Sequence, residues 1–382
     1  GAAADAVAVD ATLADAAAPD AEAPPPGDRW VVSFDLAADR AEAGQSEVAG
    51  DRFRDARPDD PVAADWPRLH VDGAAAAGGD GSAERPFQTL AEALTAAGPA
   101  PTVVRLARGD YLGPVTAVGP LALVGAGADA TRLTAPAGAP VVSATGTASL
   151  LLSHLHLVGG EVGVEAEDVG VVVLRQSRVE GPTRDGVVLR AVRLAGIFDS
   201  VVRGASGAHV RSLDTRLSLD GAWIGPGAGR GVVLGTSEPD LADCAGARSP
   251  VCPESGLLLV DRSLIQEVTG VGVDVDHGVA HLSRARVEGV RAGIEDVALA
   301  SGVRCVQSRA WVTNGSVLAG NAGVGFEGAT CRSALDGALI ADNMGGGVDL
   351  YALNEGDAGL RAFPGLEWFP GLEWFPGLEW FP

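Results

Sequence analysis

The chain has 382 residues, of which 28 are basic and 50 acidic, so its formal net charge is −22 at pH 7. Every basic residue is arginine, which excludes any catalytic role for lysine. A chain this acidic repels nucleic acid, and cations, basic proteins or an extracellular matrix fit better as partners. The sequence shows neither a transmembrane segment nor a signal peptide, and from its start at Gly1 without Met we expect a mature or trimmed product.

Residues 1–27 are Ala, Asp and Pro almost throughout, with aspartates at a regular interval from Asp5 to Asp20. This composition buries no core, so we expect a linker over this stretch. The segment resembles the spacer that follows the lipidated cysteine of bacterial surface lipoproteins, although that cysteine does not occur in this stretch. The resemblance implies an extracellular or cell-surface protein, and an outer-membrane lipoprotein as its most specific form.

An N-terminal extension is predicted over residues 28–68. Within it, residues 30–34 read Trp-Val-Val-Ser-Phe, and their alternation predicts a strand that covers the first coil. A cap follows over residues 69–111, in which the run 88–97 predicts a short helix with Leu90, Ala93 and Leu94 facing inward. Early strands are predicted at 102–106, 121–124 and 141–143.

From residue 149 to residue 351 the sequence repeats itself about every 23 residues, and eight turns can be counted. Each turn carries one aliphatic position, and these positions are Leu157, Val179, Val202, Ile224, Ile265, Val287, Leu318 and Ile340. Two positions earlier lies a column of mostly small residues: Leu155, Ser177, Ser200, Ala222, Ser263, Ala285, Ser316 and Ala338. Small residues suit the crowded interior of a coil, and the glycines of each turn suit bends with positive φ or a close approach of two backbones.

Within each turn the apolar residues alternate with a period of two, which indicates short strands. Such strands bury a face only when turn stacks on turn, so the pattern predicts a solenoid. The repeats resemble the right-handed parallel β-helix of the pectin-lyase-like superfamily. The entry segment of that family is similar to the Gly-Gly-Asp-Gly-Ser run at 78–82 and the Pro-Phe-Gln-Thr-Leu run at 86–90.

The predicted fold is therefore all-β: a right-handed, single-stranded parallel β-helix (solenoid) with a short N-terminal capping helix. This domain is predicted over residues 69–361, with its regular coils at 149–351 and a loop insertion at 238–254. The resemblance implies a fold and no activity, because this scaffold hosts lyases, hydrolases, epimerases, adhesins and inert spacers alike.

An outward column with several acidic members is predicted between the inward positions. Its members are Glu165, Val188, His209, Val233, Asp274, Glu295, Gly325 and Asp349. Stacked carboxylates bind Ca²⁺, and Asp274 with Asp276 is the best local candidate. The alternative is a solvated acidic face that discourages aggregation.

Two pairs of histidines are further candidates for metal binding or acid–base chemistry. His154 and His156 have strand spacing and should point to the same face, with Arg178 one coil above His156. His277 and His281 flank a turn near the acidic column. The alternative for each pair is a surface or cap histidine.

Four cysteines predict two disulfides, Cys244 with Cys252 and Cys305 with Cys331. The even count, the local spacing and the lack of a CxxC motif favour disulfides in an oxidising compartment. A zinc site is the competing interpretation, although neither pair has the usual ligand spacing.

The tail over residues 362–382 repeats the hexapeptide Phe-Pro-Gly-Leu-Glu-Trp three times without a change. Each Phe-Pro-Gly-Leu suits a type II turn, and the segment is too apolar to stay free in water. The candidate partner-binding residues are Phe363, Trp368, Phe369, Trp374, Phe375, Trp380 and Phe381. Capping of the coil, contact with a partner or second copy, a peptide-precursor role and an appended tag all stay open.

The sequence-based prediction of function is a secreted or cell-surface structural β-helix protein, without catalysis, whose tail mediates self-assembly or partner contact. One alternative is a precursor or self-modifying protein for a ribosomal peptide with FPGLEW cores. Another is a protein that binds or cleaves an acidic polysaccharide. No cofactor is required by the sequence, and Ca²⁺ is the ion to test.

Overall fold

The computed structural model describes residues 66–236, 256–293, 300–329 and 331–351. These residues form a parallel β-solenoid of ten coils, each with three short strands that belong to three different parallel sheets. The predicted parallel β-helix is therefore confirmed. At about 4.8 Å per coil, the ten coils extend roughly 45 Å along the axis.

The strands are numbered in chain order. The first sheet holds β1 (Arg68–Val71), β2 (Thr102–Leu106), β5 (Leu121–Val124), β8 (Ser149–Ser153), β11 (Val171–Arg175), β14 (Leu194–Phe198), β17 (Arg216–Asp220), β20 (Leu257–Asp261), β23 (Val279–Ser283), β26 (Arg309–Thr313) and β29 (Arg332–Asp336). The second sheet holds β3 (Gly109–Leu112), β6 (Thr131–Ala135), β9 (His156–Gly159), β12 (Arg178–Glu180), β15 (Val201–Arg203), β18 (Trp223–Ile224), β21 (Leu264–Gln266), β24 (Arg286–Glu288), β27 (Val317–Ala319) and β30 (Leu339–Ala341). The third sheet holds β4 (Val115–Ala117), β7 (Val142–Thr145), β10 (Val162–Glu167), β13 (Asp185–Arg190), β16 (Ala208–Leu213), β19 (Arg230–Gly235), β22 (Val273–Asp276), β25 (Val303–Val306), β28 (Val324–Ala329) and β31 (Gly346–Tyr351).

The aliphatic column read from the repeats is the inward column of the second sheet. Its eight members pair in register from Leu157 to Ile340, and the column begins earlier, at Tyr111 and Leu133. The members from Leu157 to Leu318 are fully buried. Regular stacking of equivalent residues therefore produces the hydrophobic core.

The small-residue column lies at the corner between the first and second sheets, where its serines accept hydrogen bonds from the coil before. The backbone N–H of Ser177 donates to the hydroxyl of Ser200 at 3.1 Å, and that of Leu155 donates to the hydroxyl of Ser177 at the same distance. Ala222 and Ala285 donate in the same way to the next serines along the column. The hydroxyls satisfy buried N–H groups that a sharp corner leaves without a strand partner.

The prediction that glycine supplies the positive φ of the bends is correct only in part. The residue before each member of the small column is left-handed, yet five of the eight are not glycine: His154, Gln176, Asp199, Arg262 and Arg284. Glycine is instead needed for close approach in the third sheet. A Cβ on Gly186 would lie 2.3 Å from the backbone oxygen of His209 in the next coil.

The beginning of the coil is capped by helix α1 (Leu90–Ala97), close to the predicted run 88–97. Thr89 is the N-cap and forms a capping box with Glu92, which satisfies two N–H groups at the helix start. Leu90 and Ala93 are buried in the core cluster, and the partly buried Leu94 packs against it, so all three face inward as predicted. No helix among the described residues is long and apolar enough to cross a membrane.

Candidate functional site: the open end of the coil

The last coil, formed by β29, β30 and β31, leaves its core-facing side chains exposed. Leu335 follows the fully buried Val312 in the same inward column, yet it is 37% exposed. Val348 follows the fully buried Phe326 and is 47% exposed. Leu350, also on β31, is 38% exposed. The interior of the solenoid is therefore open at this end.

Each of the three sheets also ends with one of these strands. Their outer edges present backbone N–H and C=O groups that have no further strand to pair with among the described residues. The opposite end differs, because α1 and β1 pack against the first coil there. The two ends of the coil are thus chemically distinct, and the end at β29–β31 is the apolar one.

One disulfide lies beside this open end. Cys305 on β25 is fully buried in the core, and it is bonded to Cys331, which directly precedes β29. The bond therefore ties the interior of the eighth coil to the start of the tenth. The other predicted pair, Cys244 with Cys252, lies outside the described residues.

The predicted partner-binding residues of the tail also lie outside the described residues. These are Phe363, Trp368, Phe369, Trp374, Phe375, Trp380 and Phe381. The last described residue, Tyr351, belongs to the exposed strand β31. Only a short connection, residues 352–362, separates that strand from the first Phe of the repeats.

The outward column of the third sheet differs from the predicted one at three of its eight positions. Its members in register are Glu165, Val188, Arg211, Val233, Asp274, Arg304, Glu327 and Asp349. Arg211 and Glu327 therefore replace the predicted His209 and Gly325, and Arg304 takes the place given to Glu295, which lies outside the described residues. The turns between sheets vary in length, and each extra residue shifts the register that a fixed sequence interval assumes.

Asp274 lies between two arginines of this face and not in a cluster of carboxylates. Its Oδ2 accepts a hydrogen bond from Arg230 at 2.9 Å, and its Oδ1 accepts one from Arg304 at 3.3 Å. Burial raises the pKa of Asp274 above its usual range, although the two arginines oppose that shift. Asp276 pairs instead with the Nδ1 of His277 at 2.7 Å. Guanidinium groups thus occupy the approach that a Ca²⁺ ion at Asp274 would need.

His154 and His156 do not lie on one strand, so the strand spacing predicted for the pair is wrong. His154 lies at the corner with φ of 58°, whereas His156 is the first residue of β9. The Nε2 of His156 is 2.9 Å from a carboxylate oxygen of Glu180. Arg178 does pair with His156 one coil on, as predicted. Burial lowers the pKa of His156, and the hydrogen bond to Glu180 opposes that shift.

His277 and His281 lie on different parts of the surface. His277 is at the left-handed corner after β22, with φ of 52°. His281 is on β23 and its Nε2 lies 2.9 Å from the hydroxyl of Thr313. Among the residues that the structure describes, no group of three or more His, Cys, Asp and Glu side chains is arranged to hold a metal ion.

The structure also identifies a buried histidine whose position the repeat pattern misassigns. His209 takes the register of Gly186 and is fully buried, with its Nδ1 2.7 Å from the backbone oxygen of Arg230. Its Nε2 faces the backbone oxygen of Pro226 at 3.4 Å. Burial lowers the pKa of His209, while the two carbonyl groups oppose that shift. Glycine takes this register in the coils on either side, at Gly186 and Gly231, so the lack of a glycine at position 209 was the signal in the sequence.

Comparisons of the chain with protein-family models, with curated proteins and with solved structures give no match. The likeness to the pectin-lyase-like superfamily therefore remains a resemblance of the repeat pattern.

Proposed function

We propose that this is a structural β-helix protein of the cell exterior, whose open end at β29–β31 is a binding surface for its own aromatic tail. The observation that carries the proposal is the exposure of core-facing Leu335, Val348 and Leu350 in the last coil. An open solenoid end requires a cover, and among the residues that the structure describes a dedicated cover is found at the beginning of the coil and not at its end.

The tail has the chemistry that this surface needs. Three Trp, four Phe and three Leu occur within residues 363–382. Covering the exposed parts of the three core-facing side chains would contribute about 2–4 kcal/mol, taking ~1.5–3 kcal/mol for each fully buried side chain. Pairing with the free strand edges would add to that gain.

The connection between coil and tail favours contact within one chain. Residues 352–362 form this connection and reach at most about 40 Å, which exceeds the width of a three-stranded coil. A short flexible connection gives an effective concentration in the millimolar range, so the chain's own tail outcompetes a second copy in dilute solution. Exchange of tails between two open ends is the route to self-assembly at high concentration.

The capped beginning of the coil bears on the form of any assembly. Head-to-tail filaments need both ends of a coil to be open, whereas α1 and β1 cover one end here. Assembly through the open ends would therefore give closed pairs and not fibres. The Cys305–Cys331 disulfide supports an oxidising, extracellular setting for the protein.

Tail removal tests this proposal. A chain ending at residue 362 should lose stability by about 2–4 kcal/mol and bind an apolar dye at its open end. The matched pair is a triple Trp→Ser variant at 368, 374 and 380 against a triple Glu→Gln variant at 367, 373 and 379. The first should reproduce the deletion and the second should not. The proposal would be refuted if the deletion variant and the full chain were equally stable and both were monomers.

The exact tandem repeats favour one second candidate, the peptide precursor. Trypsin cuts after Arg361, the last basic residue, and releases residues 362–382 in one piece. The mass of that fragment from natively produced protein separates the two roles. A structural tail keeps its unmodified mass, whereas a precursor would lose hydrogens, gain a group or be cleaved between repeats.

A further inference from the structure

The outward face of the first sheet carries an apolar strip over the early coils. Its members are Val103, Ala122, Leu151 and Val173, which we call the flank strip. They pair in register from β2 to β11 and alternate with the inward residues of the same strands. They form a hydrophobic cluster that is separate from the main core. The strip therefore lies on the outside of the solenoid.

The flank strip is buried although it faces outward. Its four members are only 1–5% exposed, as little as many residues of the core. Further along the same outward column, Ser218, Leu259, His281 and Trp311 are only half-buried. Stacking of neighbouring strands is the same in both halves of the sheet, so the difference in burial comes from a cover over the early coils.

The described residues supply the two ends of that cover. Trp66 packs against the strip at the start of the coil, and Phe198 packs against it at the other end. A Cβ on Gly196 would lie 2.2 Å from the Phe198 ring, so this ring folds directly over the next position after Val173. Four rungs separate Val103 from Gly196, about 19 Å, which is more than these two rings span.

We propose that residues 30–34 of this chain lie along the flank strip, between Trp66 and Phe198. The chain enters the described region at Trp66, so the stretch over residues 1–65 starts from the edge of the strip. Residues 30–34 are the densest run of large apolar side chains in that stretch. An extended segment of this length covers about 17 Å, close to the length of the strip.

The alternation of the segment fits one side of it to the strip. Trp30, Val32 and Phe34 point to one side of an extended chain, and Val31 and Ser33 point to the other. The first side gives three large apolar contacts about 7 Å apart, while the second side faces water. The connection over residues 35–65 is long enough to bring the segment back onto the coil.

This contact would fix the N-terminal extension to the side of the solenoid. The Ala/Asp/Pro stretch over residues 1–27 would then leave from the flank of the coil, near the middle of the first sheet, and not from its capped beginning. A cell surface to which residues 1–27 anchor the protein would therefore lie along the side of the coil. This inference is independent of the tail and of the open end.

Hydrogen–deuterium exchange on the full chain tests the contact directly. The matched variants are Val32→Asp, on the side that faces the strip, and Val31→Asp, on the side that faces water. We expect the amides of residues 30–34 to exchange at least ~10-fold more slowly than an unstructured peptide in the wild type and in Val31→Asp, and at the unprotected rate in Val32→Asp. Leu151→Asp, in the strip itself, should release the segment in the same way.

Four outcomes would overturn the proposal. The first is unprotected amides at residues 30–34 in the wild type. The second is equal protection in Val31→Asp and Val32→Asp. The third is exposure of the flank strip when residues 363–382 are deleted, which would show that the C-terminal tail covers it. The fourth is protection that depends on protein concentration, which would make a second copy the occupant. If Leu151→Asp does not fold, Val32→Asp alone decides, since it changes no residue of the coil.

Discussion

Removal of the Cys305–Cys331 disulfide should loosen the open end of the coil and leave its beginning intact. The change to make is Cys331→Ala, because Cys331 is only half-buried while Cys305 is fully buried in the core. The variant keeps the interior side chain and removes the covalent link. Any effect then measures the link and not a change in core volume.

The expected magnitude follows from the loop that the disulfide closes. The disulfide joins residues 26 apart and lowers the conformational entropy of the unfolded loop between them. This contributes about 3–4 kcal/mol to the stability of the folded state, which the variant would lose. Coils of a solenoid contact only their neighbours, so this loss falls on the last coils and not on the whole chain. It would increase exchange at β28 and β31 by up to roughly 900-fold.

Hydrogen exchange by strand is the assay, with wild type and variant compared with and without a reductant. Without reductant, the variant should show less protection than the wild type at β28 and β31 and the same protection at β10 and β13. Once reductant is added, the two proteins should be equally protected at every strand. Uniform loss along the coil would contradict the local, nearest-neighbour reasoning. Equal protection of the two oxidised proteins would show that the link contributes nothing.

Three further perturbations probe the corners and the outer face. Ser200→Ala should cost about 1–3 kcal/mol in urea unfolding, because the buried N–H of Ser177 loses its acceptor, whereas Ser143→Ala on the outer face should cost far less. The pKa of buried His209 is lowered, so the unfolded chain binds more protons and stability falls as pH drops below about 6.5. His209→Gln should weaken that pH dependence between pH 7.5 and 5.5, and an unchanged dependence would assign it to other groups. Asp274→Asn should cost about 1–3 kcal/mol by weakening two ion pairs, while added Ca²⁺ should leave the melting temperature unchanged. A rise of that temperature with Ca²⁺ would instead restore the predicted metal site.

The candidate site was predictable only in its chemistry. The apolar tail after the last repeat is a feature of the sequence, and it points to an exposed end. The sequence does not show which side chains are exposed at that end, because Leu335 and Val348 occupy the same repeat positions as the buried Val312 and Phe326. Position along the stack decides their burial, and that position exists only in the folded chain.

The sequence by itself determined the coil and its inward columns. Strict repetition from Leu157 to Ile340 specifies which side chains face inward, because equivalent residues of successive turns must stack to bury any core. That inference holds at every member of the column.

Only the tertiary structure decided what the outer faces carry. The register of the third sheet depends on corner lengths, so Arg211 and Arg304 enter a column that the repeats had assigned otherwise. In β8 three successive leucines, 150–152, hide the period of two, so the sequence does not show that Leu151 faces outward into the flank strip. Inward positions are constrained by packing against every neighbour, whereas outward ones are constrained only by whatever meets them in space.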